Sequence, residues 1–157
     1  MSTTEEPPTK KAKSSDDWKD HKLNIEHCVM KEDETKFLSE IAEGELTVLE
    51  GIGPKSDQVL ESLGLETIKD LAQYKFYKLA KAIKTLSEWE GKRLPGTHMN
   101  IDHALDKEHE TKSFKDILEL PVSALEGLTE KADATLAELG VKTIADLANF
   151  KYAAWGK

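Results

Sequence analysis

Leu49-Glu50-Gly51-Ile52-Gly53-Pro54-Lys55-Ser56-Asp57-Gln58-Val59-Leu60 returns 76 positions later as Leu125-Glu126-Gly127-Leu128-Thr129-Glu130-Lys131-Ala132-Asp133-Ala134-Thr135-Leu136. The match reaches well beyond this stretch. Asn24-Ile25-Glu26-His27 lies over Asn100-Ile101-Asp102-His103, and Leu63-Gly64 over Leu139-Gly140. Thr67-Ile68 with Asp70-Leu71-Ala72 lies over Thr143-Ile144 with Asp146-Leu147-Ala148, at the same offset and without a gap as far as Lys157. Roughly two positions in five are identical, and a repeat of this period marks one structural unit used twice. A residue held in both copies can serve the scaffold alone, so function is to be sought where the copies differ.

The local pattern is helical nearly throughout, with no convincing period-two stretch, which makes the chain all-α. Leu46, Leu49, Ile52, Val59, Leu60 and Leu63 are apolar at helical spacing, and Gly64 stands where a helix C-terminus favours positive φ. Pro54 suits the first position of a helix. Thr67-x-x-Asp70 and Thr143-x-x-Asp146 are helix caps with an acid at the third position, and Ser113-x-x-Asp116 opens a further helix. Asn100 is placed to cap a helix whose first turn carries Asp102. A longer helix is predicted from about Lys75 to Glu90, with Phe76, Leu79, Ala80, Ile83 and Leu86 as its apolar stripe. The Gly-Lys-Arg-Leu-Pro-Gly-Thr stretch from Gly91 to Thr97 breaks that helix.

These signals divide the chain into a disordered tail (1–17), a first unit (18–90), a linker (91–99) and a second unit (100–157) that is shortened at its C-terminal end. Lys157 corresponds to Lys81, so the last two turns of the long helix have no counterpart. Either the chain continues naturally, or the final helix is short and completed by a partner. Units this small lie near the lower limit for an independent core, so the copies are expected to lean on each other.

Of the 157 residues, 38% are hydrophobic, 33% charged and 6% aromatic, the composition of a soluble chain with a polar surface. No apolar run approaches the roughly 20 residues of a membrane span, and the N-terminus lacks a secretory apolar core. An intracellular location is expected. The single cysteine, Cys28, has Ala104 as its counterpart, which favours a small packing residue over a catalytic thiol. A formal charge of −8 and a pI near 5.2 oppose general binding to nucleic acid or anionic lipid. Within the tail, Lys10-Lys11-Ala12-Lys13 has the form of a short nuclear import signal, and Trp18 is placed to anchor the tail to the first unit.

The stretch from Leu49 to Leu60 resembles the helix-hairpin-helix motif. The glycines allow a sharp turn and close approach, Pro54 starts the second helix, and free amides there are able to hold a phosphate oxygen with Lys55 beside it. The following Gly-Leu-Glu-Thr-Ile-x-Asp-Leu-Ala is similar to the continuation found in small helical domains of the SAM-like superfamily, among them the C-terminal domain of the bacterial RNA polymerase alpha subunit. The resemblance covers about 45 residues of the first copy. It implies two tandem helix-hairpin-helix-like domains, in which Gly51, Gly53 and Lys55 would hold a nucleic-acid backbone without reading sequence. Two departures oppose that role. Asp57 replaces a small residue on the helix that would face phosphate, and the second copy has Thr129 and Glu130 where the first has Gly53 and Pro54.

Lys75, Lys78, Lys81 and Lys84 recur at steps of three, with Lys92 and Arg93 beyond. They form either a solvated face or a track for phosphates together with Lys55. His98, His103 and His109 with Asp102 and Asp106 lack the spacing of a helical metal site. No nucleophile and base, nucleotide loop or paired carboxylates stand out, so neither enzyme activity, cofactor nor small-molecule substrate is expected. Tyr152, Trp155 and Leu147, beside the shortened end, are candidate partner-binding residues. The reading is a protein-protein adaptor or small subunit of a larger assembly. Its alternative is sequence-independent binding of duplex DNA through Gly51, Gly53, Lys55 and the Lys75–Lys84 face.

Overall fold

The computed structural model describes residues 25, 27–92, 101 and 103–157. The predicted tail with Lys10-Lys11-Ala12-Lys13 and Trp18, most of the linker, and Arg93, His98, Asn100 and Asp102 lie outside the described residues. Regular structure among the described residues is helical, with β pairing limited to isolated bridges.

In the first copy α1 spans Leu38–Ala42, α2 Pro54–Glu61, α3 Ile68–Gln73 and α4 Lys75–Trp89. In the second, α5 spans Phe114–Leu118, α6 Glu130–Ala137, α7 Ile144–Ala148 and α8 Lys151–Gly156. A 3-10 turn precedes each hairpin, at Leu46–Val48 and at Val122–Ala124. The repeat extends to individual dihedral angles. Gly51 and Gly127 have φ of 99° and 100°, while Gly64 and Gly140 both have 78°. These are the turn and helix-end positions where a Cβ would be strained.

The caps form as their sequences dictate. Thr67 Oγ1 accepts from the Asp70 N–H at 3.1 Å, and Asp70 accepts in return from the Thr67 N–H at 3.0 Å. Thr143 and Asp146 repeat the exchange at 3.2 and 3.1 Å, and Ser113 caps α5 by accepting from the Asp116 N–H. Pro54 occupies the first position of α2, where its missing N–H loses no hydrogen bond.

A short backbone clamp closes each copy. The Cys28 carbonyl accepts from the Glu50 N–H and the Val48 carbonyl from the Met30 N–H, at 2.9 and 2.8 Å. Ala104 and Ala124 take the same parts opposite Glu126 and Asp106. Position 28 is therefore used through its backbone, which leaves its side chain free to be Cys in one copy and Ala in the other.

One apolar core runs through both copies because each copy's last helix crosses to the other. α4 packs on α7 and α5, and α8 packs on α3. Ala80, Leu71, Ile144, Leu147 and Ala153 are fully buried along these crossings. α8 lies so close to α3 that a Cβ on Gly156 would stand 3.0 Å from the Ile68 carbonyl oxygen and 3.5 Å from the Ala72 Cβ. The corresponding position in α4 is Ala80.

Candidate functional site

Both hairpins are backed by an aromatic residue from the opposite copy. A Cβ on Gly51 would meet the Tyr152 hydroxyl at 2.5 Å, and one on Gly127 would meet Phe76 Cζ at 3.5 Å. Phe76 and Tyr152 are themselves equivalent positions, each the second residue of its crossing helix. Each belongs to an edge-to-face pair with 5.5 Å between ring centroids, Tyr74 with Phe76 and Phe150 with Tyr152. Burial pushes the Tyr74 phenol up to about 12, since the phenolate would lose its hydration there. Phe150, the equivalent residue, carries no hydroxyl. The ring, and not the hydroxyl, is what the position requires.

Gly51 is thus fixed by its positive φ and by Tyr152. Gly53 is different. Its φ is −90°, it caps α2, and nothing lies within 4 Å of where its Cβ would stand. Thr129 caps α6 in similar extended geometry, with φ of −125°, so the backbone at position 53 does not demand glycine. Gly53, Pro54 and Lys55 are all exposed at the start of α2. The acid shared by the two hairpin helices has a structural task in the second copy, where Asp133 Oδ1 accepts from the Ser123 N–H at 2.8 Å. Asp57 at the equivalent position is half-buried.

The lysine series splits into two kinds. Lys75 lies over the Phe76 ring, 4.6 Å from its centroid, and close to the Gly127 turn. Lys84 is half-buried and donates to Asn149 Oδ1 at 2.5 Å, joining α4 to the end of α7. Lys78 and Lys81 are exposed. The row is therefore not a uniform solvated stripe, because its first and last members serve the junction between the copies. Lys151 repeats the placement of Lys75, with its ammonium 4.9 Å from the Tyr152 ring centroid and 5.1 Å from that of Trp155.

Of the candidate partner-binding residues, Leu147 is fully buried on α7, the helix packed against α4, and belongs to the core. Tyr152 is half-buried against Gly51. Trp155 remains 36% exposed, edge-on to Tyr152. The larger exposed apolar side chains stand elsewhere. Phe37 is 77% exposed and Leu38 59%, at α1, while Trp89 is 84% exposed and Leu86 also open at the end of α4. Sequence reasoning missed the α1 pair for a specific reason. Phe37 and Leu38 are adjacent apolar residues at the start of a five-residue helix, and nothing near them in sequence says whether another element covers them.

His103 is exposed and His109 pairs with Glu108 at 3.2 Å. Among the described residues no group of three or more His, Cys, Asp or Glu is placed to hold a metal ion. No described helix is long and apolar enough to cross a membrane. Comparison with protein-family models, curated proteins and solved structures found no match.

Proposed function

We propose that this protein is a helical binding module, an adaptor or small subunit that works by holding another protein and not by catalysis. The exposure of Phe37 and Leu38 on α1 carries this reading. Large apolar side chains left adjacent in water favour a protein partner that removes them from it. The division of labour at the hairpins adds support. Gly51, Lys75 and Lys84, which a nucleic-acid reading would assign to phosphate, have neighbours in the opposite copy. The net charge of −8 acts in the same direction. The tandem helix-hairpin-helix identity is part of this proposal, supported by the matching hairpin glycines and helix caps.

A second reading, duplex DNA binding, draws on one observation: Gly53, Pro54 and Lys55 are exposed together at the opening of α2. Anisotropy of a labelled duplex, titrated with the protein at several salt concentrations, separates the two. The comparison protein carries Gly53→Thr and Pro54→Glu, which copy the second hairpin. The adaptor reading expects no saturable binding at low salt by either protein. Binding that falls steeply with salt and vanishes in the variant would replace it with the DNA reading.

A further inference from the structure

α4 packs on α5 and α7 with one side and leaves the other side open. Its buried residues are Phe76, Tyr77, Ala80, Ile83 and Ser87. Opposite them Lys78, Ala82, Thr85 and Trp89 are all exposed, Trp89 by 84%. These four follow one another at steps of four, three and four, which keeps them on one stripe of the helix. Lys81 and Glu88 stand exposed along one flank of that stripe and Leu86 on the other. Among the described residues, no ion pair or ring contact within the chain engages the side chains of Lys78, Lys81, Glu88 or Trp89.

Steps of four, three and four read the same from either end. Two such helices laid antiparallel therefore meet in register, with Trp89 of each opposite Lys78 of the other. Ala82 and Thr85, the smaller side chains, then face each other at the centre, where the helices approach most closely. The flanks agree with this register. Antiparallel helices turn like flanks toward each other, so Lys81 of each molecule comes beside Glu88 of the other. From this self-complementarity we infer that the open face of α4 is the docking surface for a second molecule of this chain, forming a twofold dimer through an antiparallel α4 pair. Lysine on an aromatic ring is a contact the chain already uses, with Lys75 4.6 Å from the Phe76 ring centroid and Lys151 5.1 Å from that of Trp155. A merely acidic partner would meet Lys78 and Lys81 but be repelled by Glu88, whereas a second α4 answers all three. The inference goes beyond the adaptor reading and uses neither Phe37 nor Leu38, so its failure leaves that reading standing.

Sedimentation equilibrium of the full chain, from about 10 μM to about 1 mM, tests the pairing. One helix pair is a small interface, so a reversible dimer with a Kd on the order of 100 μM is expected. Symmetry counts every substitution twice. Trp89→Ala and Lys81→Glu should each raise Kd by about tenfold or more, and Lys81→Glu combined with Glu88→Lys should bring it back near the parent value. All three positions are exposed, so these variants fold, and circular dichroism checks this. A chain that stays monomeric over the whole range overturns the inference. So does a dimer that Trp89→Ala leaves intact, or one that the exchange of charges at 81 and 88 fails to restore.

Discussion

The hydroxyl of Tyr152 stands 2.5 Å from the position of a Cβ on Gly51, whereas in the equivalent pair Phe76 stands 3.5 Å from a Cβ on Gly127. The same turn is therefore restricted twice in the first copy and once in the second. Both glycines carry the left-handed φ, which costs an alanine about 1–2 kcal/mol. Only Gly51→Ala adds an overlap, worth about 1 kcal/mol or more. Urea unfolding is expected to place Gly51→Ala below Gly127→Ala in stability, with the gap closing in a Tyr152→Phe background. Equal losses in the unmodified background would mean that Tyr152 does not constrain the turn.

Gly156 gives a second test of the crossing. Its missing side chain lets α8 approach the Ile68 carbonyl, and Gly156→Leu must push the helices apart at a cost of about 1–3 kcal/mol. Ala154, two residues earlier on the same helix, is exposed, and Ala154→Leu is expected to stay within about 0.5 kcal/mol of the parent. Thermal melts of the two variants decide the matter. Similar melting temperatures would remove the close α3–α8 approach.

The capping boxes set the response to acid. The Thr67 hydroxyl and then its N–H hold the Asp70 carboxyl below its ordinary range, and the Lys142 N–H, with Thr143, does the same for Asp146. Because the folded values are depressed, the stabilisation is complete above the unfolded carboxylate value of about 3.9 and is lost as pH falls through the lower folded value. A chain with Asp70→Asn and Asp146→Asn should be less stable at neutral pH. It should also lose less on acidification, so that its stability converges on the parent's toward about pH 2. Parallel curves for the two proteins, from urea unfolding at each pH, would show that the caps are not responsible.

What could be read from the residues is what they determine over a few positions. Thr67 with Asp70 is a cap because the partners lie three apart, Pro54 starts α2 because of its own ring, and Gly64 ends a turn because it lacks a Cβ. The repeat itself needed only comparison of the chain with itself. The crossing was not legible, because nothing near Phe76 in sequence says that its ring meets Gly127 and not its own hairpin. Leu147 was expected at an uncovered end for the same reason, and it is fully buried on α7, the helix that α4 of the other copy packs against. Lys84 looked like a member of a solvated row until Asn149, remote in sequence, proved to be its neighbour.

The unequal cover over α1 and α5 makes the sharpest prediction, because it concerns equivalent positions with opposite expected costs. Phe114→Ala removes a buried ring and should cost about 3–5 kcal/mol. Leu38→Ala removes a side chain that already stands largely in water, so its cost should stay below about 1 kcal/mol. Deeper in the same helices the difference disappears. Ile41 and Ile117 are both buried, and replacing either with alanine should cost about 2–5 kcal/mol. Equilibrium unfolding of the four variants tests this internally, since the isoleucines report whether both short helices are packed while Leu38 and Phe114 report which has a cover. A Leu38→Ala loss as large as that of Phe114→Ala would mean that Leu38 is buried in solution.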